Sequence, residues 1–446
     1  MDDNELMEKM KVPKAVAKMA IPSVISSLVT VVYNMADTFF VGQTGDPLQV
    51  AAVSLTNPIF ILFMAFANMF GMGGSAAASI AMGEKNEKRM KNVSSFITYA
   101  SLAVGCVFAI LLLLFSRPIL NIFGANQQTY HYAYGYLFHI SYGAPFIIWS
   151  AAASFVVRSE GASKEAMIGS MIGTIVNIVL DPILISGFHL GAAGAAIATT
   201  IGNILASIYY IWYFVKKSSF FSIHIKYFQC KDKILKSVCS SGLPTAIFSM
   251  LMSLSTIVLN QILVAYGNEP VAAIGIVFKA NMFITFLQMG LANGVQPLFG
   301  YNFGSGNVER FRSVERYTKK CCLIVGILAT ALFFVFRVQI LQLFIQDQKV
   351  IHYGVSMLIA YMISGPIIGF LFVNMNCMQS IGKAFPATIL SILRQGLLLI
   401  PLLYLLNFCF GLNGVIYGQG LTDYIAVILS AILWKRCRKA LGKNQC

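Results

Sequence analysis

Charge is scarce in this sequence: Asp, Glu, Lys and Arg together make up only 11% of its 446 residues, against about 25% in an ordinary soluble domain. That shortage excludes a hydrated surface over most of the chain. Nine Cys are scattered without a CxxC or Cys/His cluster, which excludes a disulfide framework and a structural zinc site, so no metal or cofactor is expected. The five His (His131, His139, His189, His224 and His352) stand apart from one another and from the acids. They build no catalytic cluster, and an enzyme is not expected. Glycine spacings of the GxGxxG kind lie within apolar segments and follow no strand, which excludes a dinucleotide loop. The N-terminal MDDNELMEKMKVPK mixes acids with bases and leads into a segment of full spanning length, so no cleavable secretory signal is read there.

What is abundant is apolar sequence, 57% of residues with a mean hydropathy of +0.74. Runs of about twenty apolar residues suit a bilayer core about 30 Å thick. Their hydrophobicity is continuous rather than alternating, as in membrane helices and not barrel strands. The pattern predicts an all-α membrane protein of about twelve transmembrane helices. They are placed near 19–41, 52–80, 93–115, 133–157, 166–187, 191–215, 238–266, 271–301, 314–336, 351–378, 384–406 and 412–434.

The formal net charge is +15, a balance that nucleic-acid binding also produces. Position separates the two explanations. With the N-terminus inside, 27 of the 32 Lys and Arg fall on the N-terminal segment, the even-numbered loops and the tail, as the positive-inside rule requires. Arg117, Arg337 and Lys349 fall outside, and Lys279 and Arg394 within apolar segments. The expectation is a multi-pass protein of the plasma membrane, monomeric, with both termini cytoplasmic and no nucleic-acid partner. Cys437 and Cys446, beside the basic tail, are read as unmodified thiols rather than lipid anchors.

The two halves repeat. An offset of 221 brings Gly73, Gly83, Asn86, Arg89 and Val93 onto Gly294, Gly304, Asn307, Arg310 and Val314, and Ser159 and Gly161 onto Ser380 and Gly382. Nearby offsets match Gly191 and Gly194 to Gly411 and Gly414, and Pro22 to Pro244. Six spans per half is an even number, so both halves enter from the same side. The result is a parallel repeat, suited to a central cavity exposed alternately to either face. The predicted organisation is an N-terminal six-helix lobe over 1–215, a cytoplasmic linker over 216–236 and a C-terminal lobe over 237–446. Small-residue stretches such as GMGGSAAAS and GAAGAAIATTIG read as close helix packing.

Ionisable residues inside a membrane are costly and each requires an account. Asp37 has Asn34 one turn before it in YNMADTFF, and Asp181 has Asn177 at i−4 in IVNIVLDP. Counted at about 1.5 Å per residue, Asp37, Asp181 and Thr199 fall in one layer on the order of 8–12 Å below the outer surface. Two carboxylates with amide and hydroxyl oxygens in a partly dry pocket resist double ionisation. Such a pocket takes a proton, and its oxygens also suit Na⁺. Lys279, Arg394 and Asp423 read as a structural ion-pair set or as cavity contacts, and Pro22 as a candidate bend in the first helix.

YNMADTFFVGQTG from Tyr33, VRSEGASKEAM from Val157, NIVLDPILI from Asn177, GVQPLFGYNFGSGN from Gly294 and SILRQGLLLIPLL from Ser391 resemble the multidrug and toxic compound extrusion (MATE) family over nearly the whole chain. The resemblance implies a twelve-helix efflux antiporter with a cation site in its N-terminal lobe. Asp37, Asn177, Asp181 and Thr199 occupy the motif positions, supported by Tyr33 and Asn34. Some relatives add acids on helices seven, eight and ten; here helix seven has none, helix eight carries Asn281 and helix ten Asn374 and Asn376. That departure favours proton coupling over Na⁺. The expected activity is cation-coupled export of amphipathic or cationic organic compounds by alternating access. Two alternatives stand beside it: a flippase for a lipid-linked saccharide of the same wider superfamily, and an intramembrane transferase.

Overall fold

The computed structural model describes residues 3–44, 46–230 and 234–439; Cys446 lies outside them. Helices form where the apolar runs predict them, because a backbone in lipid has no water to satisfy its N–H and C=O groups. The first half runs α1 (Asp3–Glu8), α2 (Val12–Gly42), α3 (Pro47–Gly83), α4 (Glu87–Leu114), α5 (Ser116–Ile122), α6 (Tyr130–Ser159), α7 (Ser163–Pro182) and α8 (Gly191–Lys216), with a π turn, Ile183–Gly187, after α7. The second runs α9 (Ile234–Val264), α10 (Asn268–Gly304), α11 (Val308–Val335), α12 (Arg337–Gln342), α13 (Gln348–Met362), α14 (Ile368–Ser380), α15 (Ala384–Ile392) and α16 (Leu399–Arg438), with a π segment, Leu393–Leu398, between the last two. No strand occurs among the described residues.

Among the described residues, ten helical stretches are long and apolar enough to cross a membrane. The last of them, Ala384–Arg438, holds two spans, because Gly411 breaks α16 with φ 58° and ψ −141°. A further span, α13 with α14, is interrupted at 363–367, where Pro366 can supply no backbone donor. The predicted twelve are thereby accounted for. Continuous hydrophobicity gave no sign of this interruption, nor of the short α5 and α12. Large apolar side chains such as Ile110, Leu114, Leu328 and Phe408 are exposed, as lipid-facing positions must be.

The chain divides into two compact units, Val29–Gly242 and Met1–Leu28 with Leu243–Cys446. The divisions fall inside α2 and α9, a few residues from the matched prolines Pro22 and Pro244; α2 is continuous through Pro22. In the first unit α6 packs against α3, α4 and α8, and α7 against α8. Buried Glu160 accepts from Tyr213, Ser218 and the backbone N–H groups of Ser219 and Phe220. Ser94, Ser95 and Tyr99 donate to the carbonyls of Ser222, His224 and Ile223. The described part of the linker is therefore tied along α4 and α6. In the second unit α10 packs against α11, α13 and α14, and α14 against α16. Arg310 closes the end of α1, donating to the carbonyls of Met7 (3.0 Å) and Met10 (2.7 Å).

The duplication is repeated in local geometry. Asn86 and Asn307 each cap a helix by accepting from the backbone N–H three residues on, Arg89 and Arg310. Gly161 and Gly382 both have positive φ, as do Gly191 and Gly411, the left-handed conformation that glycine adopts without penalty. Gly105 in α4 leaves no room for a Cβ against Pro145, and its counterpart Gly326 in α11 would place one 2.9 Å from Pro366 Cα. Each half thus has a glycine packed against the matching proline of a neighbouring segment.

Candidate functional site

Within the unit Val29–Gly242, three helices bring the predicted residues together. Helix α2 carries Tyr33, Asn34 and Asp37 on one face at i, i+1 and i+4; α7 carries Asn177 and Asp181 one turn apart; α8 supplies Thr199. Tyr33 Oη lies 3.4 Å from Thr199 Oγ1. Asn177 is oriented so that both ends of its amide are satisfied: Nδ2 donates to Asp181 Oδ2 at 3.2 Å, while Oδ1 accepts from Thr199 Oγ1 at 3.2 Å and Thr199 N at 3.0 Å. Asp181 is completely buried, Asn177 is 2% and Thr199 4% exposed, whereas Asp37 is half-buried.

Asp37 and Asp181 are close enough to interact electrostatically, and Tyr33 and Tyr136 lie in the field of both. Neither carboxylate belongs to an ion pair among the described residues. Asp181 Oδ1 is buried and has no hydrogen-bond donor there. The arrangement can therefore receive a proton or a small cation through oxygens alone: two carboxylates, an amide, a hydroxyl and a phenol.

Three parts of the site escape the sequence reading. Tyr136 of α6 has no neighbouring motif to mark it. Asn203 donates to the Thr199 carbonyl at 2.8 Å and accepts from Ser150 Oγ at 2.9 Å; its place four residues after Thr199 is the signal that could have found it. The π turn begins two residues after Asp181, and such turns recur at functional sites. Beyond it, Gln49 Oε1 accepts from Ala192 N at 2.9 Å and anchors the start of α8.

The remaining intramembrane charges lie in the other unit. Arg394 Nε donates to Asp423 Oδ1 at 2.8 Å, with both residues about 5% exposed or less. Lys279 is half-buried and makes no ion pair among the described residues, so the set of three reduces to one pair.

A duplicated bundle of twelve membrane helices, carrying unpaired carboxylates in one half and an ion pair in the other, defines a transporter of the multi-pass membrane class. The MatE family model matches the chain twice, over residues 22–183 and 244–405, the same repeat that the 221-residue offset reveals. The chain belongs to the MatE family and is not an enzyme. Among similar proteins is the multidrug export protein MepA of Staphylococcus aureus, 34% identical over 437 residues and covering 97% of this chain and 96% of MepA. Solved structures of a MATE protein in its straight and bent conformations superpose with TM-scores of 0.94 and 0.91, each at 26% identity and over at least 99% of both chains.

Proposed function

We propose that this protein exports amphipathic, cationic organic compounds across the plasma membrane in exchange for an entering cation, the proton in preference to Na⁺. Both termini are cytoplasmic in this reading, and a monomer suffices. The observation that carries it is the Asp37 and Asp181 pair, two carboxylates in one apolar bundle without a basic partner. Intramembrane acids of this kind mark ion pathways. Likeness to multidrug export protein MepA supports organic compounds as the cargo.

In this cycle the cargo site is exposed alternately to either side of the membrane. With the site open outside, a cation neutralises a carboxylate and weakens the hold on a bound cationic compound, which leaves. Only a ligand with different affinities for the two states can shift them, and the carboxylates provide that difference reciprocally for cation and cargo. The flippase reading calls for several bases against a lipid phosphate; Arg394 is already engaged with Asp423, which favours the export reading.

The test is accumulation of a fluorescent cationic dye by purified protein in proteoliposomes under a proton gradient or a Na⁺ gradient imposed separately. Transport under the proton gradient alone is expected. Transport only under Na⁺ would reassign the coupling ion, and transport under neither would overturn the antiport reading.

A further inference from the structure

The two ends of the Arg394–Asp423 pair are satisfied unequally. Asp423 accepts from Arg394 Nε, Gln419 Nε2 and Ser364 Oγ, at 2.8, 3.0 and 2.9 Å. Arg394 gives only Nε to this contact, while its Nη1 is buried without an acceptor among the described residues. A guanidinium has five N–H donors and keeps them all, and a buried donor left without an acceptor is costly. Both carboxylate oxygens are engaged, whereas the arginine keeps a buried nitrogen without an acceptor among the described residues.

Two further observations bear on what the spare donor meets. The guanidinium carbon lies 5.2 Å from the ring centroid of Phe248 and 5.7 Å from that of Phe372, so aromatic faces border it. Arg394 also sits inside the π segment Leu393–Leu398, an irregularity concentrated at functional sites. Phe248 and Gln419 are only half-buried; the rim of the pair is reachable although the charges themselves lie behind it.

We infer that this corner of α9, α14, α16 and the π segment binds an uncharged aromatic compound, whose carbonyl oxygen accepts from Arg394 Nη1 and whose rings lie against Phe248 and Phe372. Charge balance selects that class. Asp423 already cancels Arg394, so an anionic ligand leaves a net charge in a poorly solvated place, and desolvation penalises it. A cationic ligand meets the like charge of the guanidinium. A neutral carbonyl adds a charge-assisted hydrogen bond and alters no charge. The ligand chemistry is thus the reverse of that at Asp37 and Asp181. It does not depend on the export reading, and equilibrium binding without any gradient keeps the two tests separate.

The test uses the full chain in lipid nanodiscs, with protein-free nanodiscs subtracted, and three probes on one planar body: 9-fluorenone, fluorene and fluorene-9-carboxylate. Fluorenone is expected to bind about tenfold more tightly than fluorene, and more tightly than the carboxylate. Arg394→Lys, which keeps the charge but loses the planar fork, should erase the preference for the ketone. Equal binding of fluorenone and fluorene, tighter binding of the carboxylate, or a ketone preference retained in Arg394→Lys would each overturn the inference. Should Arg394→Lys fail to fold, photolabelling of the unaltered protein by benzophenone decides the matter: adducts at Phe248, Phe372 or Gln419 support the site, and adducts confined to other residues refute it.

Discussion

Asp37 and Asp181 are the residues on which transport is expected to depend. Asn has the size of a neutral carboxyl and binds no proton, so Asp37→Asn and Asp181→Asn should each abolish gradient-driven export while leaving the protein folded. Uphill dye transport by purified variants in proteoliposomes measures this; full coupled export by the double variant would eliminate the mechanism. Arg394 and Asp423 call for a different expectation. Removing one member of a buried pair strands the other charge, a loss of about 3–5 kcal/mol, so Arg394→Gln and Asp423→Leu should each lower the melting temperature in detergent. The double change Arg394→Met with Asp423→Leu should melt higher than either single variant, because no charge is left unpaired. A double variant no more stable than the singles would show that the pair does not act as a unit. The residues differ in how far each was legible. Asp37, Asp181 and Arg394 are visible because charge in an apolar run is conspicuous, whereas Ser364 and Gln419, which complete the shell of Asp423, resemble any polar residue until the chain folds.

At the scale of a helix, glycine and proline decide how closely elements approach. A Cβ at Gly105 collides with backbone at Pro145, while one at Gly275 meets nothing within 4 Å. Overpacking of that kind typically costs about 1–3 kcal/mol, so Gly105→Ala should lower thermal stability. Gly275→Ala should leave it unchanged or raised, since alanine favours helix by about 0.8–1.0 kcal/mol over glycine. Equal melting of the two variants would contradict the close contact between α4 and α6. Proline acts differently in α2, which runs unbroken through Pro22 but lacks that residue's backbone donor. We expect Pro22→Ala to slow transport and to weaken the pH dependence of cysteine accessibility along α2; if neither changes, bending at Pro22 has no part in the cycle. The interruption of the tenth span at 363–367 was not legible in advance. Pro145 occupies the matching place in α6, which stays continuous, so the proline itself does not determine a break.

For the molecule as a whole, the charge distribution predicts a topology. In a background without the native cysteines, Cys introduced at Asp46 or Glu269 should react with an impermeant thiol reagent from outside intact cells. Cys at Lys88 or Arg312 should react only after permeabilisation, and the reverse pattern would invert the orientation. The duplication was legible at this scale as well, because equal halves face equal lipid and need the same glycines and prolines at the same turns. Matched residues nonetheless make different contacts in the two halves. Arg89 pairs with Glu84 at 2.7 Å on the surface, whereas its counterpart Arg310 holds the end of α1.

Sequence by itself determined the class of this protein, its twelve spans, its repeat and the carboxylates that require explanation, since lipid leaves the backbone almost no alternative to helices and makes every buried charge costly. Tertiary structure alone decided which polar groups meet. Thr199 reaches Asn177 and Tyr33, Ser364 reaches Asp423 across 59 residues of chain, and Lys279 reaches no acid among the described residues. The spacing of residues along one helix fixes a face, but the rotation of that face toward its neighbours comes from packing contributed by other helices, and no single segment encodes it.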